Sequence, residues 1–153
     1  MSEPVDAATQ ARALLAGARA ATLGTLARDP PGWPYASLVA VAFDEASRAL
    51  LLLSSLAEHT GNLVAHPEVS LLVVAPGEAD PLAGPRVTVL GRAERLDGTA
   101  AVAARARYLA LHPGAARFVD FADFAFYAVV PIRARWIGGF GRQAWVELYT
   151  ESR

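Results

Sequence analysis

The chain has 153 residues, of which 14 are basic and 15 acidic, giving a net charge of −1. Every basic residue is arginine and cysteine is absent, so lysine Schiff bases, thiolate nucleophiles, cysteine zinc sites and disulfides are excluded. There is no basic excess for nucleic acid, and no apolar run reaches the roughly 18 residues of a membrane span.

With 54% apolar residues the chain can build an ample core, and one domain over residues 1–153 is expected. The N-terminus shows no secretory pattern, so a cytoplasmic protein is expected. Ala7, Ala8, Ala11, Leu14, Leu15 and Ala18 recur at helical spacing, which predicts an amphipathic helix over 6–18. Ala20 to Ala27 reads as a strand, and Asp29-Pro30-Pro31-Gly32 as a turn. Tyr35 to Phe43 is a second strand; Asp44 to Ser47 turns into a third at Ala49 to Ser54. A helix over 56–65 stops at His66-Pro67, because proline disfavours helix in the residue before it.

Val69 to Ala75 is the fourth strand, and Gly77 to Pro85 a loop. Arg86 to Leu96 is a long fifth strand, with Val87, Val89, Gly91 and Ala93 alternating against Arg86, Thr88, Arg92 and Glu94. Asp97 or Thr99 caps a helix over 99–111 that His112-Pro113-Gly114 ends, and a short helical piece follows over 114–119. Phe124 to Val130 and Arg133 to Gly138 form a strand pair or one bent strand, and Gln143 to Tyr149 adds a tail strand. The first three strands have no helices between them, which disfavours a doubly wound parallel sheet. The expected fold is mainly β (α+β): a six-stranded antiparallel barrel with flanking helices, since closure removes edges that so apolar a sheet would expose.

The stretch with the most chemistry is Ser54 to Leu63. Ser55 and Glu58 fit a capping box, so a helix N-terminus follows directly on a strand. Its unpaired N–H groups and partial positive charge suit a phosphate. Ser54, Ser55, His59, Thr60 and Asn62 crowd donors around that point, and a protonated His59 would favour a phosphate dianion. Ser55 can cap and bind at once; Asn62 can equally stabilise the following loop. His66 and His112 each precede a proline at a helix end, where a histidine partners the dipole. The three histidines lack zinc-ligand spacing, and no nucleophile-elbow motif occurs.

Four stretches together resemble the FMN-binding split-barrel superfamily of pyridoxamine 5'-phosphate oxidase, nearest its haem-utilisation branch. They are Pro34 to Val39, Ser54 to Leu63 with His66 to Leu72, Val89 to Leu96, and Trp136 to Arg142. The resemblance implies a split barrel and a homodimer holding FMN at its interface. Ser37 would face the flavin, Ser54, Ser55, His59 and Thr60 would hold its phosphate, and Trp136 and Arg142 would reach across from the partner copy. Gly138-Gly139 would let backbone approach a ligand closely. A probable-oxidoreductase reading follows for a small-molecule substrate, with the flavin carrying the redox chemistry.

The departures from that oxidase are equally informative. Its flavin-phosphate arginine and lysine are replaced by Ala36 and Val41, and its helix-start Arg-Lys pair by Glu58 and His59. Tyr108 keeps one substrate-phosphate contact, but His112 and Ala116 replace the others. Without charge-assisted donors, pyridoxamine phosphate is not the expected substrate. The alternatives are a haem-binding or haem-degrading protein, with His66 or His112 as a ligand, a non-catalytic flavin protein, and a deazaflavin cofactor.

Overall fold

The computed structural model describes residues 6–148. Eight strands form one antiparallel sheet: β1 (Ala20–Leu26), β2 (Pro34–Ala40), β3 (Ala42–Phe43), β4 (Ala49–Ser54), β5 (Glu68–Val74), β6 (Arg86–Arg95), β7 (Phe124–Gly139) and β8 (Arg142–Val146). Three helices flank it: α1 (Ala7–Ala16), α2 (Glu58–Ala65) and α3 (Gly98–Leu111), the last followed by a 3-10 turn over Pro113–Arg117.

The strand order is β2-β1-β5-β6-β7-β4-β3, with β8 also on β7. The two ends of that order, β2 and β3, are neighbours in the chain, separated by Val41 alone. The sheet therefore curls until its edges approach each other, which is the split barrel expected from the sequence. This explains why the predicted strand Tyr35 to Phe43 is cut: Val41 donates its N–H to the Arg19 carbonyl at 3.0 Å, where the chain passes from one sheet edge to the other. Six strands were expected; β3 and the β7–β8 pairing account for the larger number.

Inward-pointing residues fill the barrel: Leu23, Leu51, Leu71, Val87, Val89 and Val129, with Ala11 and Leu15 of α1 packed onto them. Fully burying a side chain of this size contributes about 1.5–3 kcal/mol. β4 is buried on both faces, because Leu50 and Leu52 point outward beneath α3 against Tyr108, Ala115 and Phe126. That double burial is why Ala49 to Leu53 reads as an unbroken apolar run.

β7 is one bent strand of 16 residues. Its first half pairs with β4, its second with β8, and both with β6. The register slips between Leu90 and Gly91, which face Arg133 and Pro131 and leave Ile132 as the extra residue. A bulge of this kind reverses which alternate residues point inward. Before it Tyr127 and Val129 face the barrel core; after it Ala134 and Trp136 do. The tail strand expected at Gln143 to Tyr149 is β8 at Arg142–Val146, and Tyr149 lies outside the described residues.

Candidate functional site

The start of α2 differs from the sequence expectation. The helix begins at Glu58 with Ala57 at the N-cap and no side-chain cap bond, so Ser55 does not form the capping box. The reason lies 69 positions away. Ser54 donates its hydroxyl to Asp123 Oδ2 at 2.6 Å and accepts the Leu56 N–H at 3.1 Å. The Ser55 N–H donates to the Asp123 carbonyl at 2.7 Å. Asp123 thus occupies the donors at the strand-to-helix corner and postpones the helix to the next residues.

Of the other α2 side chains, Asn62 is committed within the chain and Thr60 is not. Asn62 is 0% exposed; its amide donates to Thr25 Oγ1 at 3.1 Å, and its Oδ1 accepts the Arg28 N–H at 3.3 Å. It ties α2 to β1. Thr60 is 2% exposed, and its hydroxyl has no hydrogen-bond partner among the described residues. His59 is half-buried, and burial lowers its pKa below the ordinary histidine value. Without a ligand, burial alone works against the protonated ring. The cation at this corner is one the sequence reading missed. Arg28 lays its guanidinium where a side chain on Gly61 would stand and pairs with Glu58 at 3.7 Å.

Of the remaining expected site residues, Ser37, Trp136, Tyr108 and His112 sit on the interior side or in the helix layer, and Arg142 is exposed on β8. Ser37 pairs with Leu23 on the barrel side of β2, and its hydroxyl lacks a partner among the described residues. Trp136 is 4% exposed and belongs to its own chain's core, its ring edge filling the space a side chain on Gly138 would take. Arg142 stacks on Trp136, its Cζ 5.2 Å from the ring centroid. Tyr108 is buried under Phe126, and His112 Nε2 lies 2.8 Å from the Val41 carbonyl. His112 therefore fastens the end of α3 to the barrel.

The open surface is elsewhere, on the outer face of β2, β1, β5, β6 and the second half of β7. Register arranges its side chains in rows. Ala36, Gly24, Ser70 and Leu90 lie across one row that ends at Arg133. Leu38, Thr22, Leu72 and Thr88 make the next, ending at Arg135 and Trp145. The small residues of the first row form the floor of a groove of about 680 Å³. A Cβ on Gly24 would strike the Ser70 hydroxyl, so glycine keeps the floor low. Thr22, Leu26, Leu72, Leu90 and Ile132 wall it, with Arg133 at one end. No helix covers this face, and Leu38 is 78% exposed on it.

The sequence held a signal for part of this surface. Arg133-Ala134-Arg135-Trp136 alternates charge with apolar residues, so its arginines share a face opposite Trp136. A pattern of small residues across three strands carries no local signal, because only register brings Ala36, Gly24 and Ser70 together.

Comparison with known proteins agrees with this architecture. The noncanonical chloroplastic heme oxygenase HOZ of Arabidopsis thaliana is 36% identical over 128 residues, 84% of this chain and 39% of that protein. A heme binding protein from Mycobacterium smegmatis superposes with a TM-score of 0.88 at 38% identity, over 97% of this chain and 60% of that one. The chain thus spans about two fifths of the first and three fifths of the second, less than two thirds of either. An FAD-binding protein from Mesorhizobium loti, at 19% identity and a TM-score of 0.66 over 89% of this chain and 94% of its own, shares the fold. No helix among the described residues is long and apolar enough to cross a membrane. The model of the CREG β-barrel family matches residues 2–152, and the chain belongs to that family.

Proposed function

We propose that this chain binds haem on the outer face of its sheet, between two copies of itself. The observation that carries this is the groove: a flat floor of Ala36, Gly24 and Ser70, apolar walls, and Arg133 at one end. A tetrapyrrole needs that combination, since its body is broad and apolar and its carboxylates are confined to one edge. Two relatives above 30% identity are named for haem binding or oxygenation, which supports the same reading.

A homodimer follows from the same face. Leu38, Leu72, Leu90 and Ile132 are exposed together on one side of a curved sheet, and contiguous apolar surface of this kind marks an interaction site. A second copy related by a two-fold axis would present the same rows and close the groove from above. Bound iron would supply redox chemistry there; the chain's residues would supply burial and charge. None of the three histidines lines the groove, and His112 Nε2 lies 2.8 Å from the Val41 carbonyl.

FMN is the second reading, favoured by Arg28 above the first turn of α2. Asp123 opposes it: a carboxylate 2.6 Å from the Ser54 hydroxyl stands where the flavin phosphate would dock. Like charges at such range disfavour each other by several-fold in affinity. The test is a pair of spectral titrations of the purified protein, with hemin and with FMN. Saturable growth of a Soret band, with weak FMN binding, is the expected result. Saturable FMN binding without a hemin response would overturn the proposal.

A further inference from the structure

Most arginines in the described residues have oxygen partners. Arg28, Arg48, Arg92, Arg95, Arg105 and Arg107 pair with carboxylates. Arg12, Arg19, Arg86 and Arg117 donate to a hydroxyl or to backbone carbonyls. Arg133, Arg135 and Arg142 do neither: Arg142 lies over Trp136, while Arg133 and Arg135 share one other indole, their Cζ atoms 3.7 and 5.5 Å from the Trp145 ring centroid.

Two guanidiniums on the same face of one strand repel each other, and without an anion that repulsion stays uncompensated. The face of Trp145 offsets part of it through cation–π attraction and holds both planes in a fixed attitude. Stacking leaves the N–H edges of a guanidinium free, and those edges take a carboxylate in bidentate fashion. Position is the second observation. Arg133 pairs with Leu90 and Arg135 with Thr88, so both stand at the end of the two rows that make the groove. Alternate residues on one strand face stand about 6.5–7 Å apart, a spacing that suits two carboxylates on flexible arms from one edge of a macrocycle.

We propose that Arg133 and Arg135, stacked on Trp145, form a two-armed carboxylate clamp at the end of the groove that grips both acidic side chains of the tetrapyrrole. The clamp rests on the haem reading above and adds how the ligand is oriented: carboxylate edge toward β8, apolar edge toward β2. It also states a selectivity, for dicarboxylate tetrapyrroles over esterified ones of the same shape.

The experiment compares hemin with hemin dimethyl ester on the full chain, by Soret titration. Wild type is expected to bind hemin at least tenfold tighter than the diester. R133Q/R135Q is expected to bind both equally, at the wild-type diester affinity, with its circular dichroism unchanged; R133Q alone retains part of the preference. R133K/R135K restores the preference in part, since a lysine keeps the charge without the fork. Equal binding of hemin and diester by wild type overturns the clamp while leaving haem binding intact, as does a preference that survives in R133Q/R135Q. No hemin binding by wild type overturns the clamp together with the reading beneath it.

Discussion

The corner where β4 enters α2 and the outer face of β1, β5 and β6 make opposite use of their polar groups. At the corner, Ser54, the Ser55 N–H and Asn62 all find partners within the chain, supplied by Asp123, Thr25 and Arg28. On the outer face, Arg133 and Arg135 find none, and leucines lie exposed around a floor of small residues. A density of donors in sequence therefore marks either a ligand site or a structural knot. The distinction is whether the fold has already satisfied them, since buried polar groups in a folded chain are normally paired internally.

The sharpest way to break this contrast is to place a charge on the outer face. Leu72→Asp leaves the barrel interior untouched, because Leu72 points away from the core and is 38% exposed. If two copies meet through this face as proposed, a carboxylate buried unpaired between them costs several kcal/mol, so association is expected to weaken by roughly a hundredfold or more. Light scattering should report a monomer with an unchanged melting temperature. A dimer that persists would show that another surface joins the copies.

The second largest effect belongs to the knot. Asn62→Ala removes the donor to Thr25 and the acceptor of the Arg28 N–H at a site with 0% exposure. Leaving buried groups unsatisfied costs about 2–4 kcal/mol, or a melting temperature lower by roughly 5–12 °C for a chain of this size. Hemin affinity measured well below the transition should stay within twofold. If Asn62 instead serves a ligand, the affinity falls and the melting temperature does not.

The same contrast explains what the sequence reveals and conceals. The antiparallel barrel is legible because alternation in Arg86 to Leu96 and the helix-free run of three strands are local patterns. The double burial of β4 is legible as a continuous apolar run. The site is not, for two physical reasons. Ser54 is claimed by a residue 69 positions away, a separation no local motif encodes. The bulge near Leu90 and Gly91 reverses the facing of β7, so Trp136 turns inward while Arg133 and Arg135 turn outward. The W-x-G-G-x-x-R segment therefore places Trp136 in the core, on the side of β7 opposite Arg133 and Arg135.

A smaller change tests the corner's charge. Asp123→Asn keeps a group of the same shape beside Ser54 but removes the negative charge. Relief of like-charge repulsion at this range is worth about 1 kcal/mol, so FMN affinity should rise by about fivefold. Riboflavin, which lacks the phosphate, should be unaffected in the same titration. An equal gain for both would place the flavin's phosphate away from α2.

His59 carries the smallest effect, and its sign follows from burial. Burial lowers its pKa, so below the ordinary histidine value of about 6.5 the unfolded chain binds a proton that the folded chain still resists. Stability is therefore fully present above that value and declines as pH falls from it toward the lower folded pKa. His59→Gln removes the titration without adding a charge. Denaturant unfolding at pH 8 and at pH 5 should show a larger acid-side loss for wild type than for the variant. Equal losses would mean that the ring is not held neutral by the fold. They would return to α2 the cationic donor that its sequence suggested, and weaken the contrast with the outer face.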